Sequence, residues 1–255
     1  LIDRMDPGTG TSFGNAGLIQ IDAVVPIATP GILRNVPRML LDPNGPLVVR
    51  WRYLHKIAPW LIQFVRAARP DSVERISVAL ASLLDRSNDA WLDLIREASA
   101  QEIWRQSGEL HVYRRKEAWD AAQSTHELRR RRGSLLEDLT VEEMRQLEPA
   151  LSPDLYLGVF TPNANSITPP LPLSEKIFEL FRRNGGTFIR ENVLRVEIGA
   201  DGEASRLLSE AGAHDVDALV IAAGAFSKLF TKAAGKSVPV DTERGYHLWL
   251  PDPGV

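Results

Sequence analysis

Asp3 closes the apolar opening Leu1-Ile2. A carboxylate at the end of a buried strand can accept hydrogen bonds from both hydroxyls of a ribose. In dinucleotide folds such an acid follows a Gly-rich turn by ~20 residues. Here that turn would fall before residue 1, and an ordinary strand-end aspartate is the plain alternative. Pro7 to Gly17 follows, rich in Gly, Thr, Ser and Asn. Within it, Gly8-Thr-Gly10-Thr-Ser-Phe-Gly14 has the look of a Gly-x-Gly phosphate loop. The true fingerprint lies between a strand and a helix, and Asp6-Pro7 before it and Asn15-Ala-Gly17 after it argue against both. Small residues and free amides there suit a loop passing beside a flat ligand and its phosphates.

Ala222-Ala-Gly224-Ala-Phe-Ser227 follows the buried-strand signal Asp217-Ala-Leu-Val-Ile. Small side chains at such a turn allow close backbone approach, either to a ligand or to a packed helix. Near the other end stands Arg244-Gly-Tyr246-His247. A guanidinium binds a carboxylate bidentately, so Arg244 is either a carboxylate clamp or a structural arginine. Alternation along a strand puts Tyr246 and His247 on opposite faces. The five histidines show no metal-ligand spacing, so no metal is expected. His126 and His214 lie in polar stretches and read as surface residues. Arg129-Arg-Arg-Arg132 reads as a solvated helix face, and no nucleic-acid partner is expected.

Composition narrows the classes. The 255 residues are 44% hydrophobic and 25% charged, with a net charge of −3. These values suit a globular chain with a real core and no global field for nucleic acid. With no cysteine, disulfides, thiolate nucleophiles and zinc–thiolate sites are excluded. No apolar run approaches the ~20 residues that span a bilayer.

These residues need elements to position them. Apolar spacing predicts helices from Ile57 to Ala68 and, in a long stretch, from Val73 to Ala98. Leu110 to Tyr113 reads as a strand and Glu117 to Arg132 as a polar helix. Thr140 with Glu143 forms a capping-box pattern. Leu155 to Phe160, Thr187 to Arg190, Val193 to Ile198, Ser205 to Leu208, Asp217 to Gly224 and Arg244 to Leu250 read as strands. Helices run near Ser174 to Phe181 and Ser227 to Ala234. The proline-rich 26–50 reads as an irregular connection. Strand signals at both ends with a helical block between them fit a parallel-sheet domain interrupted by an insertion.

Leu1-Ile-Asp-Arg4, Thr11-Ser-Phe-Gly-Asn-Ala-Gly17, the Ala-Ala-Gly-Ala-Phe-Ser turn and Arg244-Gly-Tyr-His247 together resemble the D-amino-acid dehydrogenase branch of the flavin-dependent amino-acid oxidase family. Ser107-Gly-Glu-Leu-His-Val-Tyr-Arg114 and Leu147-Glu-Pro-Ala-Leu151 are similar to its substrate-domain segments, in the same order. The resemblance implies FAD as cofactor. Asp3 would hold the adenosine ribose, with Arg4 beside the adenine. Thr11 and Ser12 would contact the pyrophosphate. Asn15, Ala16, Gly17 and Leu18 would line the isoalloxazine. Val193 would pair its backbone with the adenine edge, and Ala223 and Gly224 would pass close to the dinucleotide. Arg244, Tyr246 and His247 are the substrate-facing candidates.

The expected architecture is α/β and α+β: a truncated Rossmann-like FAD-binding unit interrupted by a substrate domain with a helical block and an antiparallel sheet. Segments 1–30, 170–200 and 216–235 would belong to the first, and 50–165 and 236–255 to the second. The implied reaction oxidises the Cα–N bond of a D-amino acid or related amine, with quinone or oxygen as electron acceptor. Relative to the family, the chain reads as an internal piece that alone binds FAD poorly and lacks activity. A degenerate homologue serving as a structural or interaction module is the other reading. The amphipathic Trp60-Leu-Ile-Gln-Phe-Val suits core or subunit packing first; the lesser reading, which the resemblance implies for a cytoplasmic protein, is peripheral contact on the inner face of a membrane. A homo-oligomer is compatible.

Overall fold

The structure is a computed structural model that describes residues 1–41, 52, 54–167, 169–200, 202–240, 242, 245, 246 and 248. The chain divides into two compact units. One holds residues 1–17, 97–103 and 168–255, the other 18–96 and 104–167.

In the first unit, β1 (Ile2–Asp3) pairs in parallel with β8 (Ile189–Arg190), matching Ile2 to Ile189 and Asp3 to Arg190. The Leu1 nitrogen extends the ladder to the Thr187 carbonyl at 2.9 Å. α7 (Pro170–Arg183) precedes β8. Pro170 opens it, at a position where a missing N–H costs nothing. The ring of Phe178 stands near those of Phe181 and Phe188, at 6.1 and 5.4 Å between centroids. Gly186 lies so close that a Cβ there would sit 2.3 Å from the Phe181 ring. The 97–103 segment joins this unit through buried Ala98 and Ala100, and Arg183 donates to the Glu97 carbonyl at 2.9 Å. After β8, an antiparallel meander follows: β9 (Val193–Ile198), β10 (Ala204–Ser209) and β11 (Ala213–Asp215). A short 3-10 turn (Gly224–Phe226) leads into α8 (Ser227–Thr231).

In the second unit, β4 (Glu109–Tyr113), β6 (Leu157–Thr161) and β5 (Glu137–Leu139) form one antiparallel sheet with β6 central. A second sheet runs β2 (Leu18–Ile19), β7 (Asn165–Ile167), β3 (Trp104–Arg105). The helices are α1 (Pro30–Leu41), α2 (Leu54–Ala67), α3 (Pro70–Leu84), α4 (Ser87–Glu97), α5 (Lys116–Arg131) and α6 (Val141–Leu147). Thr140 and Glu143 make the expected reciprocal capping box at the start of α6. α6 sets Met144 over Gly158, where a Cβ would meet the Met144 sulfur at 2.3 Å. Fully buried Val159 and Met144 mark this core.

The parallel pair, the antiparallel sheets and the helical block agree with the mixed architecture read from the sequence. Several local expectations are corrected. Residues 30–41 form α1, where an irregular connection was expected. The long helical stretch breaks into α3 and α4 around Asp85-Arg86. Asp217 to Gly224 is irregular, and Val220 is 89% exposed. A strand needs a neighbour for its ladder, and among the described residues none pairs with this segment. The expected strand 244–250 lies almost wholly outside the described residues.

Candidate functional site

β1 delivers Asp3 to the carboxyl end of the parallel pair, the end at which open α/β sheets bind ligands. The Asp3 side chain is exposed. Its Oδ1 accepts the Met5 N–H at 2.9 Å, which fixes the carboxylate against the turn that follows. Its carbonyl accepts the Glu191 N–H at 3.0 Å. Arg4 lays its guanidinium 5.0 Å from the centroid of the Phe226 ring, a cation–π distance. That contact brings the Asp3-Arg4 end together with the turn that Ala223 and Gly224 open. Gly224 has φ +53°, in the left-handed region that glycine tolerates best.

A groove of about 380 Å³ opens here, lined by Arg4, Arg190, Glu191, Asn192, Glu210 and Ala211. Arg190 pairs with Asp6 at 3.2 Å, and Asn192 donates to Glu210 at 2.9 Å. Val193 begins β9 directly after Asn192 and pairs with Ser209. The structure therefore gathers Asp3, Arg4, Ala223, Gly224 and Val193 into one unit. Sequence reasoning missed Arg190, Glu191 and Asn192. The signal was their place as the link between two strand patterns, Thr187–Arg190 and Val193–Ile198.

The loop that ends at Gly17 is built of successive turns, with Thr9 and Phe13 donating to the Asp6 and Gly10 carbonyls at 3.2 Å. Gly8 at φ +79° packs against α7, where a Cβ would lie 2.6 Å from the Ser174 Cβ. Thr11, Asn15 and Ala16 are exposed, and Ser12 is half-buried. Asn15 Oδ1 accepts the Gly17 N–H at 2.8 Å, so this side chain shapes the loop's exit. Gly17 is buried at φ +72°. Leu18 starts β2, in the second unit. Tyr246 is 88% exposed and joins no described site. Arg244 and His247 lie outside the described residues.

The residues present fit the adenosine end of a dinucleotide. An exposed carboxylate stands at a parallel strand's carboxyl end, and amide and guanidinium donors line the adjacent groove. The sequence profile described as "DAO: FAD dependent oxidoreductase" matches residues 1–255. The chain belongs to this family. It is 33% identical over 256 residues to a D-amino-acid oxidase of Bradyrhizobium diazoefficiens, covering 99% of this chain and 60% of that protein. It is 26% identical to a D-amino acid dehydrogenase of Vibrio vulnificus, covering 94% and 58%. The chain thus spans about 60% of the length of these relatives. Glycine oxidase from Geobacillus kaustophilus superposes with a TM-score of 0.58 at 16% identity, over 92% of this chain and 51% of that one. An α-glycerophosphate oxidase from Mycoplasma pneumoniae, solved with FAD bound, superposes at 0.54 and 14% identity, over 89% and 48%. These likenesses establish the fold of this FAD-dependent oxidoreductase family member.

Two of its other polar groups depart from expectation. His126 is 3% exposed, not on the surface. Its Nε2 meets the Tyr113 hydroxyl at 2.9 Å, and the rings of Tyr113, Trp119 and His126 pack edge to face. Burial, then the Arg130 and Arg129 charges, hold its pKa below the ordinary imidazole range. The arginine run is also not simply a solvated face. Arg129 reaches Asp22 and Thr161, and Arg132 reaches Glu74 and Ser77. α5 turns Trp119, His126 and Arg129 inward at helical spacing.

Proposed function

We propose that the complete protein oxidises the Cα–N bond of a D-amino acid or related amine, using FAD. The single observation that carries this reading is the strand-end Asp3 beside Arg4, seated over the Gly224–Phe226 turn, in a chain whose family is FAD-dependent. Asp3 accepts the ribose hydroxyls, and Arg4 borders the adenine. Thr11 and Ser12 face the pyrophosphate. Asn15, Ala16, Gly17 and Leu18 line the ring system, and Val193 offers its backbone to the adenine edge. Bound FAD supplies a two-electron acceptor for the hydride leaving the α-carbon. The imino acid released then takes up water and gives a 2-oxo acid and ammonia. Arg244 is the proposed clamp for the substrate carboxylate, with Tyr246 and His247 as further substrate-facing candidates. Segments 1–30, 170–200 and 216–235 would carry most of the cofactor contacts, and 50–165 with 236–255 most of the substrate domain.

Purified complete protein is expected to show flavin absorbance that bleaches anaerobically with D-amino acids. A protein that takes up no FAD, or one bleached only by L-amino acids, would sink the reading. Re-oxidation by oxygen or by a quinone analogue separates oxidase from dehydrogenase.

α2 supports a peripheral membrane contact as part of the same proposal. None of its residues is buried, and Trp60, Ile62 and Val65 are about half exposed. Residues 43–70 carry Arg50, Arg52, Lys56, Arg66 and Arg69 and no Asp or Glu. Apolar residues with flanking cations suit an anionic interface. No described helix is long and apolar enough to cross a membrane. The complete protein should co-sediment with phosphatidylserine vesicles at low salt, and Trp60→Ser with Ile62→Ser should abolish this. Equal sedimentation of wild type and variant would refute the role of α2.

A further inference from the structure

The link between β8 and β9 is only Glu191-Asn192. On one side of it lies Asp3, held in register with Arg190. On the other lies Val193. Both are proposed FAD contacts, so whatever fixes this link fixes their mutual distance.

Glu191 is tied at both ends. Its backbone N–H donates to the Asp3 carbonyl at 3.0 Å. Its side chain reaches across the meander, where Oε2 accepts the Ser209 hydroxyl at 2.5 Å and His214 Nε2–H at 2.8 Å. Ser209 is itself buried and its hydroxyl oxygen accepts the Ala211 and Gly212 N–H groups at 3.2 Å each. The hydroxyl proton has two acceptors within reach, the Gly212 carbonyl at 3.1 Å and Glu191 Oε2 at 2.5 Å, and the shorter, charge-assisted contact is the one to Glu191. The acceptor it meets is a carboxylate: hydrogen bonds from Ser209 and then His214 hold the Glu191 pKa below the ordinary range. The β10–β11 turn is thus fastened, through one carboxylate, to the backbone of the residue that ends β1. Glu191 also lines the groove beside Arg4 and Asn192.

We propose that Glu191 is a positioning residue that clamps the β10–β11 turn, through Ser209 and His214, to the Asp3 end of β1, and thereby sets the spacing of the adenosine-binding edge. The inference rests on the proposed FAD reading.

Removing the negative charge weakens both charge-assisted bonds at once. Glu191→Gln in the complete protein is expected to lower FAD affinity about tenfold. Affinity for FMN, which lacks the adenosine, should stay unchanged, and so should the melting temperature within a few degrees. Amide exchange at Ala211, Gly212 and Glu191 should speed up in the same variant. Ser209→Ala should reproduce the FAD defect in weaker form, and Ser209→Thr, which keeps the hydroxyl, should restore it. Equal loss of FAD and FMN affinity would overturn the proposal, because a general loss of structure does that. Unchanged FAD affinity with faster exchange would also overturn it, leaving only a structural tie. If wild-type protein takes up no FAD, the functional reading fails by itself. The exchange rates then still decide whether the clamp exists.

Discussion

Asp3→Ala is expected to weaken FAD binding by roughly 10- to 150-fold in the complete protein. The carboxylate would accept hydroxyl protons from the ribose, and a hydrogen bond to a charged group is worth about 1.5–3 kcal/mol. Each ~1.4 kcal/mol is a factor of ten in affinity. Asp3→Asn separates two contributions. Its amide oxygen can still accept the Met5 N–H, which in the native protein lies 2.9 Å from Oδ1. It cannot offer a full charge to the ribose. Asn should therefore fall between Asp and Ala, with the local turn intact. Flavin titration of the three proteins decides the point, and equal affinities would remove Asp3 from the cofactor site.

Arg129→Ala is expected to destabilise the second unit by about 3 kcal/mol or more. Arg129 and Asp22 meet at 2.5 Å with only 13% and 11% of their side chains exposed. Arg129 also donates to Thr161 at 3.2 Å. This one guanidinium joins α5, the chain after β2 and the end of β6. Removing one partner of a buried pair costs about 3–5 kcal/mol, chiefly because the other charge is left without compensation. Replacing both partners, as in Arg129→Met with Asp22→Leu, should recover most of the loss. Denaturant unfolding followed at the tryptophans would measure both variants. A loss below about 1 kcal/mol for the single variant, the range of surface pairs, would show that the pair is solvated in practice.

The buried pair also shows what was legible in the sequence and what was not. Residue type alone placed Arg129 and His126 on a wet face. The helix places them inward, on the stripe that includes Trp119. A polar residue at a core position is visible only once its partner is known, and Asp22 lies 107 residues away. Local signals served well where the physics is local. The capping box at Thr140 and Glu143, the strand Val193–Ile198 and the helix after Ser227 needed no distant partner. Asp217 to Gly224 failed for the opposite reason. Its apolar run says strand, yet a strand is a pairwise object, and among the described residues no segment supplies the other half of the ladder. For the site, the strand-end acid and the glycine turn were readable as types. The groove formed by Arg190, Glu191 and Asn192 was not, since these are ordinary polar residues until β1 pairs with β8.

That pairing has a consequence for how the protein is made. The Leu1–Thr187 bond spans 186 residues of chain. Synthesis runs at about 5–20 residues per second, so β1 leaves the ribosome roughly 10–40 s before its partner strand exists. The second unit, by contrast, ends at Ile167 and holds all its described strands by then. It can complete its sheets before β8, the partner of β1, has been made. The unit that carries Asp3 is therefore the last to close, although its residues 1–17 are translated before all of the second unit. Chains stalled shortly after Ile167 has emerged should resist protease from 54 to 96 and from 104 to 167 and be cut within 1–17. Protection of the first seventeen residues at that stage would mean that something other than β8 holds β1 during synthesis.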